Sequence, residues 1–293
     1  MTFNFNCGNE LVKLCNVHNK AIWEIMLARE SENSGKNSDE ILEMMKENLI
    51  VMKNAVIKGL NEDTKSISGL VGGDAKLLNN RYKKNKTVSG TKMVKAVASA
   101  MAVVEVNASM GQVVAAPTAG SCGILPGVLI SVGEDFNFSE DELVKGLLTA
   151  SAVGLIIAKN ATVSGAEGGC QAETGAASAM AAAAVVELLQ GTPEEALHGA
   201  AMTIKNILGL VCDPIAGLVE CPCVKRNAIG TANALISADM ALAGIKSVIP
   251  FDEVVEAMYI VGKTLPATLR ETAMGGLADT PTGRKLAKII FGN

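Results

Sequence analysis

The sequence predicts an all-α protein: one multi-helix globular domain whose glycine-rich loops converge on a site. Three observations predict it. Apolar residues make up 49% of the 293 residues and aromatic residues only 3%, so Ala, Val, Leu, Ile and Met fill the interior. These side chains recur at i, i+3 and i+4 through most of the chain, while the alternation expected of a half-buried strand is scarce. Glycine clusters fall between the helical stretches, where loops belong. The whole chain, 1–293, reads as a single domain with a helical layer at about 1–65, a loop at 66–90 and a helical core at 91–293.

Taken in order, residues 8–60 read as two amphipathic helices. Leu11, Leu14, Val17, Ala21, Ile22, Ile25 and Met26 mark the first at helical spacing. The polar run SENSGKNSDE at 31–40 reads as a loop. Ser38 then caps the second helix, with Asp39 and Glu40 favouring its first turn. From that cap the third helical position is Ile41, so a full capping box is not expected. The helix is expected to reach about Ile57. The stretch 66–90, SISGLVGGDAKLLNNRYKKNKTVSG, is polar, glycine-rich and basic at its end, and reads as a surface or active-site loop.

From Thr91 the chain reads as successive helices at about 91–107, 123–133, 139–158, 171–190, 193–209, 227–245 and 251–264. Thr192-Pro193-Glu194-Glu195 is a helix start: Thr as N-cap, Pro at the first helical position, acids in the first turn. Between these helices lie GGD (72–74), APTAGSCGILPG (116–127), SGAEGGC (164–170), CDPIAG (212–217) and TAMGG (272–276). Breakers at so many junctions suggest loops that hold backbone close to a ligand.

Charge excludes some functions. Net charge is −4 with 19% charged residues, so nothing argues for nucleic acid or an anionic membrane surface. Mean hydropathy is high, +0.30. No charged residue falls between Glu105 and Glu134, a stretch long enough to span a bilayer. Asn107, Gln112, Pro117, Pro126 and several glycines argue instead for a buried protein interior, because lipid would leave their loop backbone unsatisfied. The N-terminus MTFNFNCGNELVK lacks the basic and apolar regions of a signal peptide, so a cytoplasmic protein with reduced thiols is expected. Seven cysteines, an odd number, argue against a complete disulfide framework.

Three of those cysteines crowd into VCDPIAGLVECPCVKRN (211–227): Cys212, Cys221 and Cys223. Cys170, in GGCQAETG, precedes a helix whose N-terminus stabilises anionic sulfur. Lys225 and Arg226 follow closely and could offset negative charge. The residues alone leave two readings open: metal-binding thiolates, or inert buried thiols. Zinc and iron–sulfur both remain open among metals, although the spacing is not that of paired CxxC units. Cys7 and Cys15 stand isolated and read as inert. His18 and His198 lie in ordinary helical contexts.

GQVVAAPTAGSCGILPG, KNATVSGAEGGCQAETG, LGLVCDPIAGLVECPCVKRNA and RETAMGGLA, with SGLVGGDA near residue 70, resemble the iron–sulfur L-serine dehydratases. The likeness covers nearly the whole chain and is narrowest to the α subunit of the two-chain form. It implies a 4Fe–4S cluster held by Cys170, Cys212 and Cys223, with one iron left open. Cys221 stands where the family usually has an apolar residue and reads as a bystander. The implied reaction is dehydration of L-serine to pyruvate and ammonia without pyridoxal phosphate, a step in amino acid catabolism that can feed gluconeogenesis. Some single-chain relatives end in a cysteine just after GGLA; this chain continues ADTPTGRKLAKIIFGN, so a tail occupying the open iron is not expected.

On that reading the loop Pro117–Gly123 cradles the substrate carboxylate with free N–H groups and the hydroxyls of Thr118 and Ser121, with Gly120 between them. Its bland alternative is a structural turn. Ser164 and Gly165 form a second candidate contact, and Glu167 is a contact or a cap for the next helix. Cys122 reads as a small wall residue. The catalytic base remains unidentified; a separate β subunit, forming a heterodimer, is expected to supply a histidine. Lys159 and Lys205 are alternatives that require burial to lower their pKa. Rival functions are L-cysteine desulfidation, electron transfer with a fourth cysteine ligand, and a structural zinc domain.

Overall fold

The computed structural model describes residues 2–292. Among them form thirteen α-helices and no strand, apart from one isolated parallel bridge between Cys212 and Arg270. The all-α expectation holds.

The N-terminal layer has three helices, not two: Gly8–His18 (α1), Ile22–Ser34 (α2) and Ser38–Asn61 (α3). The apolar spacing runs through the first break, so periodicity missed it. Asn19 ends α1 in left-handed backbone at φ 50°, a conformation asparagine tolerates better than most residues. The expected loop at 31–40 shrinks, because α2 continues to Ser34 before Gly35 turns the chain at φ 72°. The cap of α3 is Asn37 rather than Ser38. Its side chain accepts from Glu40 N at 2.9 Å, and Glu40 accepts from Asn37 N at 2.9 Å. The capping box therefore forms, one residue earlier than the expected cap allowed.

The stretch 66–90 is not all loop. It contains Asp74–Lys83 (α4), packed on Thr91–Ala108 (α5). The reason lies far away in sequence. Glu105, on α5 and 1% exposed, accepts from the N–H groups of Gly73, Asp74 and Ala75 at 3.1, 2.9 and 3.3 Å. A carboxylate at a helix N-terminus satisfies donors the helix itself cannot.

The remaining core helices are Ile124–Phe136 (α6), Glu140–Asn160 (α7), Cys170–Leu188 (α9), Pro193–Lys205 (α10), Cys223–Leu242 (α11) and Phe251–Thr264 (α12). A single turn, Gly165–Gly168 (α8), precedes α9, and Pro281–Phe291 (α13) follows α12. Thr192 caps α10 as expected and forms a capping box with Glu195. Helix α10 stops short of 209, where Asn206 turns to donate to Asn233 Oδ1 at 2.8 Å. Helix α11 begins at Cys223, directly after Pro222, four residues before the expected 227.

Helix α9 is the axis of the body. It packs against α6, α7, α10 and α11. Its sequence, CQAETGAASAMAAAAVVEL, is small and apolar on almost every face, which suits a helix surrounded by others. Ala172, Ala176, Ala179 and Ala183 are fully buried, letting neighbouring backbones approach closely. The uncharged stretch after Glu105 divides into the end of α5, an extended segment, a short turn at Ala119–Ser121 and α6. Among the described residues no helix is long and apolar enough to cross a membrane.

Replacing Glu105 with Ala orphans the three donors at the start of α4. The expected cost is about 2–3 kcal/mol, read from the urea midpoint, with proteolysis appearing first in 64–75. An unchanged midpoint would mean that α4 caps itself.

Candidate metal centre

Cys170 is the first residue of α9 and is 3% exposed. Its neighbour Gln171 fixes that helix start. Gln171 is fully buried, donates to Gly168 O at 2.9 Å and Met258 O at 3.0 Å, and accepts from Gly209 N at 2.9 Å. Cys212, 2% exposed, is held between Leu269 and Glu271 of the C-terminal segment. Its N–H donates to Leu269 O at 2.8 Å and its carbonyl accepts from Glu271 N at 2.7 Å. Cys223 opens α11 and is 6% exposed.

The Cys170 and Cys212 sulfurs and a Glu173 carboxylate oxygen all lie within 4.8 Å of one another. Glu173 stands three residues along α9, on the same helical face as Cys170, and its Oε2 is 3.8 Å from that sulfur. Cys223 lies outside this tight group but close enough to feel the charges of Cys170, Glu173 and Arg226. Arg226, on the first turn of α11, donates to Cys170 Sγ at 3.2 Å and to Asp213 Oδ1 at 2.7 Å. The expectation that a basic residue after the cysteines offsets negative sulfur charge is met by Arg226. Lys225 instead pairs with Asp74.

The expected substrate loop closes on the same place. Thr118 Oγ1 is 3.0 Å from Ser121 Oγ and donates to Glu173 Oε1 at 2.7 Å. A methyl group at Gly120 would sit 3.0 Å from Glu173 Oε1; one at Gly165 would sit 2.7 Å from Glu173 Oε2 and 3.0 Å from Cys212 Sγ. Both glycines thus leave room for the Glu173 carboxylate. Ser164 precedes α8 and is half-buried, its N–H donating to Thr162 Oγ1 at 3.1 Å. Asn227, fully buried, ties the loop to α11: it donates to Gly120 O at 2.7 Å and Cys223 O at 2.9 Å and accepts from Gly123 N at 3.1 Å.

Other expectations resolve as follows. Glu167 is exposed and does not cap α9, whose N-cap is Gly169. Cys122 is fully buried, and burial pushes its thiol up to about 12, as suits a wall residue. Cys221 is half-buried, its carbonyl accepting from Ile215 N at 2.9 Å. The His18 ring packs on Phe3 with centroids 4.9 Å apart, and His198 Nδ1 accepts from Ser247 N at 3.5 Å. Lys159 is exposed and donates to Asn6 Oδ1 at 3.0 Å, while Lys205 donates to Ser247 O at 2.5 Å. A cleft of about 470 Å³ lined by Cys15, Lys20, Trp23, Lys145 and Glu187 contains none of the predicted site residues.

Electrostatics fit a thiolate metal site. A hydrogen bond shared with Cys170 pushes the Cys212 thiol well up, and burial pushes it further. Burial, then the charge of Cys170, raises Cys223. Burial raises Glu173 as well. Buried neighbouring sulfurs thus resist losing their protons together until a cation replaces those protons. Burial opposes the charge on Arg226, yet Cys170 and Asp213 hold its pKa above the ordinary value. Thiolates backed by a guanidinium are a donor set for a soft metal or an iron–sulfur centre. Reading the sequence missed Glu173, Gln171, Asp213 and Asn227. The available signal was the three-residue step from Cys170 to Glu173.

Fold and site together define an all-helical protein whose thiols and one carboxylate converge as a candidate metal centre beside hydroxyl-bearing glycine loops. The chain belongs to the serine dehydratase alpha chain family, whose profile matches residues 17–278. It is 53% identical to the probable L-serine dehydratase, alpha chain, of Bacillus subtilis (strain 168), over 98% of this chain and 96% of that one. It is 48% identical to the L-serine dehydratase, alpha chain, of Peptoniphilus asaccharolyticus, over 97% of each. The L-serine dehydratase of Helicobacter pylori (strain ATCC 700392 / 26695) is 35% identical over 96% of this chain, which spans 62% of that longer protein.

Arg226→Met removes the partner of Asp213, whose side chain is 4% exposed, and leaves an unpaired buried carboxylate. The expected loss is about 3–5 kcal/mol, seen as a lower Tm. A Tm within a degree or two of the parent would show the pair to be dispensable.

Proposed function

We propose that this chain is the cluster-carrying α subunit of an enzyme that dehydrates L-serine to pyruvate and ammonia. The observation that carries the reading is the meeting of Cys170, Cys212 and Glu173 beside the Thr118–Ser121 hydroxyls, in a chain of this family. Cys170, Cys212 and Cys223 would hold a 4Fe–4S cluster. When bound through three thiolates, such a cluster supplies a Lewis acid that makes hydroxide a better leaving group.

The chain's own residues do the rest of the binding work. Arg226 balances charge on Cys170 and fixes the start of α11 against α9. Thr118 and Ser121, with Gly120, Ser164 and Gly165, form the substrate side. The Ser121 and Ser164 hydroxyls and the loop N–H groups suit a carboxylate, while the Thr118 hydroxyl is bonded to Glu173. Asn227 holds that loop in register with Cys223. Cys122 at the end of the loop and Ile124 at the start of α6 are fully buried, which keeps water from that side. Loss of the α-hydrogen and hydroxide leaves aminoacrylate, which tautomerises and hydrolyses to pyruvate and ammonia.

The base that removes the α-hydrogen would come from a β subunit. His18, His198, Lys159 and Lys205 are engaged with groups outside the thiol site. The names of the two shorter relatives, each an alpha chain, support a second chain, as does the greater length of the Helicobacter protein. A cytoplasmic heterodimer in amino acid catabolism, feeding gluconeogenesis, is the setting this reading implies.

The test is anaerobic purification, cluster reconstitution and assay of pyruvate from L-serine, with and without the partner chain. Cys170→Ser, Cys212→Ser and Cys223→Ser should each lose the brown chromophore and activity, while Cys221→Ala keeps both. Activity should require the partner. Full activity of this chain alone would return the base to its own lysines and histidines; a colourless, zinc-loaded protein would end the cluster assignment.

A further inference from the structure

Glu173 sits between the Thr118 loop and Cys170. Its Oε1 accepts one hydrogen bond, from Thr118, and the nearest group to its Oε2 among its polar contacts is the Cys170 sulfur. Among the described residues no lysine or arginine pairs with it. Arg226, the guanidinium beside the site, bonds Cys170 and Asp213, and its charge reaches Glu173 without forming an ion pair with it. Glu271, the other acid whose charge reaches these groups, adds negative potential. A carboxylate so desolvated, with only the Thr118 hydroxyl and, more distantly, the Cys170 thiol as donors, is costly unless a positive group joins it. Yet the fold makes space for it: a methyl group at Gly120 or Gly165 would sit 3.0 and 2.7 Å from its two oxygens, so a side chain there would push the carboxylate aside.

Building on the L-serine reading, we infer that Glu173 receives the α-ammonium of the substrate and so selects 2-amino acids. The ammonium and the β-hydroxyl of serine sit on adjacent carbons, about 3 Å apart. A Glu173 oxygen lies within 4.8 Å of both the Cys170 and Cys212 sulfurs. An ammonium held by Glu173 therefore leaves the hydroxymethyl group beside those sulfurs. Thr118, by bonding Oε1, orients the carboxylate and leaves Oε2 to the ligand. Glu173 contributes recognition here, and no proton transfer is assigned to it.

The experiment uses the cluster-loaded complex of both chains. Binding of L-serine and of 3-hydroxypropionate, which differs by lacking the ammonium, is read from perturbation of the cluster's visible and EPR spectra. Glu173→Gln should weaken L-serine by about 10- to 100-fold, the worth of a charge-assisted hydrogen bond, and shift 3-hydroxypropionate by less than about threefold. Iron content and the ligand-free spectrum should match the parent. Equal weakening of both ligands, or unchanged L-serine affinity, would overturn the inference. So would an altered ligand-free spectrum, which would make Glu173 an iron donor. Should Glu173→Gln fail to load iron, Glu173→Asp decides: keeping its charge on a shorter arm, it should weaken L-serine selectively, and equal losses for both ligands sink the idea. Failure of the parent complex to make pyruvate would instead refute the functional reading itself.

Discussion

The Arg226 guanidinium reaches Asp213 at 2.7 Å with one nitrogen and the Cys170 sulfur at 3.2 Å with another, and the three groups sit on three separate parts of the chain. Asp213 then accepts from Leu277 N at 2.7 Å with its second oxygen. One ionic junction thus joins the start of α9, the Cys212 loop, the start of α11 and the C-terminal GGL turn. That turn comes so near that Gly276, at φ 61°, would place a methyl group 2.3 Å from Asp213, so only glycine fits. Buried ion pairs add little net stability against an apolar alternative, but breaking one is costly. Their use here is positional: the pair sets where Cys170 and Cys212 stand relative to each other.

A second layer of support is apolar. Helix α9 can be enclosed by four neighbours because eight of its nineteen residues are alanine. Close packing of this kind resists displacement, since each small shift would open voids or produce clashes. Cys170 and Glu173 therefore project from the most confined rod in the molecule. The 66–75 segment is held differently. Glu220, 4% exposed, accepts from Ser66 Oγ at 2.6 Å and Ser68 N at 3.2 Å, and Glu105 holds the start of α4. Polar anchors thus hold that segment, where close apolar packing holds α9.

Much of this was legible in the residues. The helices α5 to α7 and α9 to α12 followed from apolar spacing and from start signals such as Thr192-Pro193, because the information is local. Two of the misses have clear physical reasons. Helix α4 looks like a polar loop until Glu105, some thirty residues on, supplies its cap. The break at Asn19 is a backbone conformation that apolar periodicity cannot register. At the site, cysteines and glycines announce themselves, and Arg226 stood out by its charge. Glu173 did not, because an acid in a first helical turn also has an ordinary explanation as a partner of the helix dipole. Its particular surroundings arise only when the Thr118 loop folds over it.

Arg226 and Asn227 are consecutive residues, yet one serves the sulfur side and the other serves the Gly120–Gly123 loop. Successive helical side chains diverge by about 100°, so α11 addresses both sides at once through a single step of its spiral. This makes the opening of α11 a phase-locked part of the chain. Adding or deleting one residue between Cys223 and Asn227 would swing both side chains around the helix axis together, uncoupling sulfur and loop in the same event. Substitution is the only kind of sequence change this stretch can absorb one position at a time; length is not free to vary.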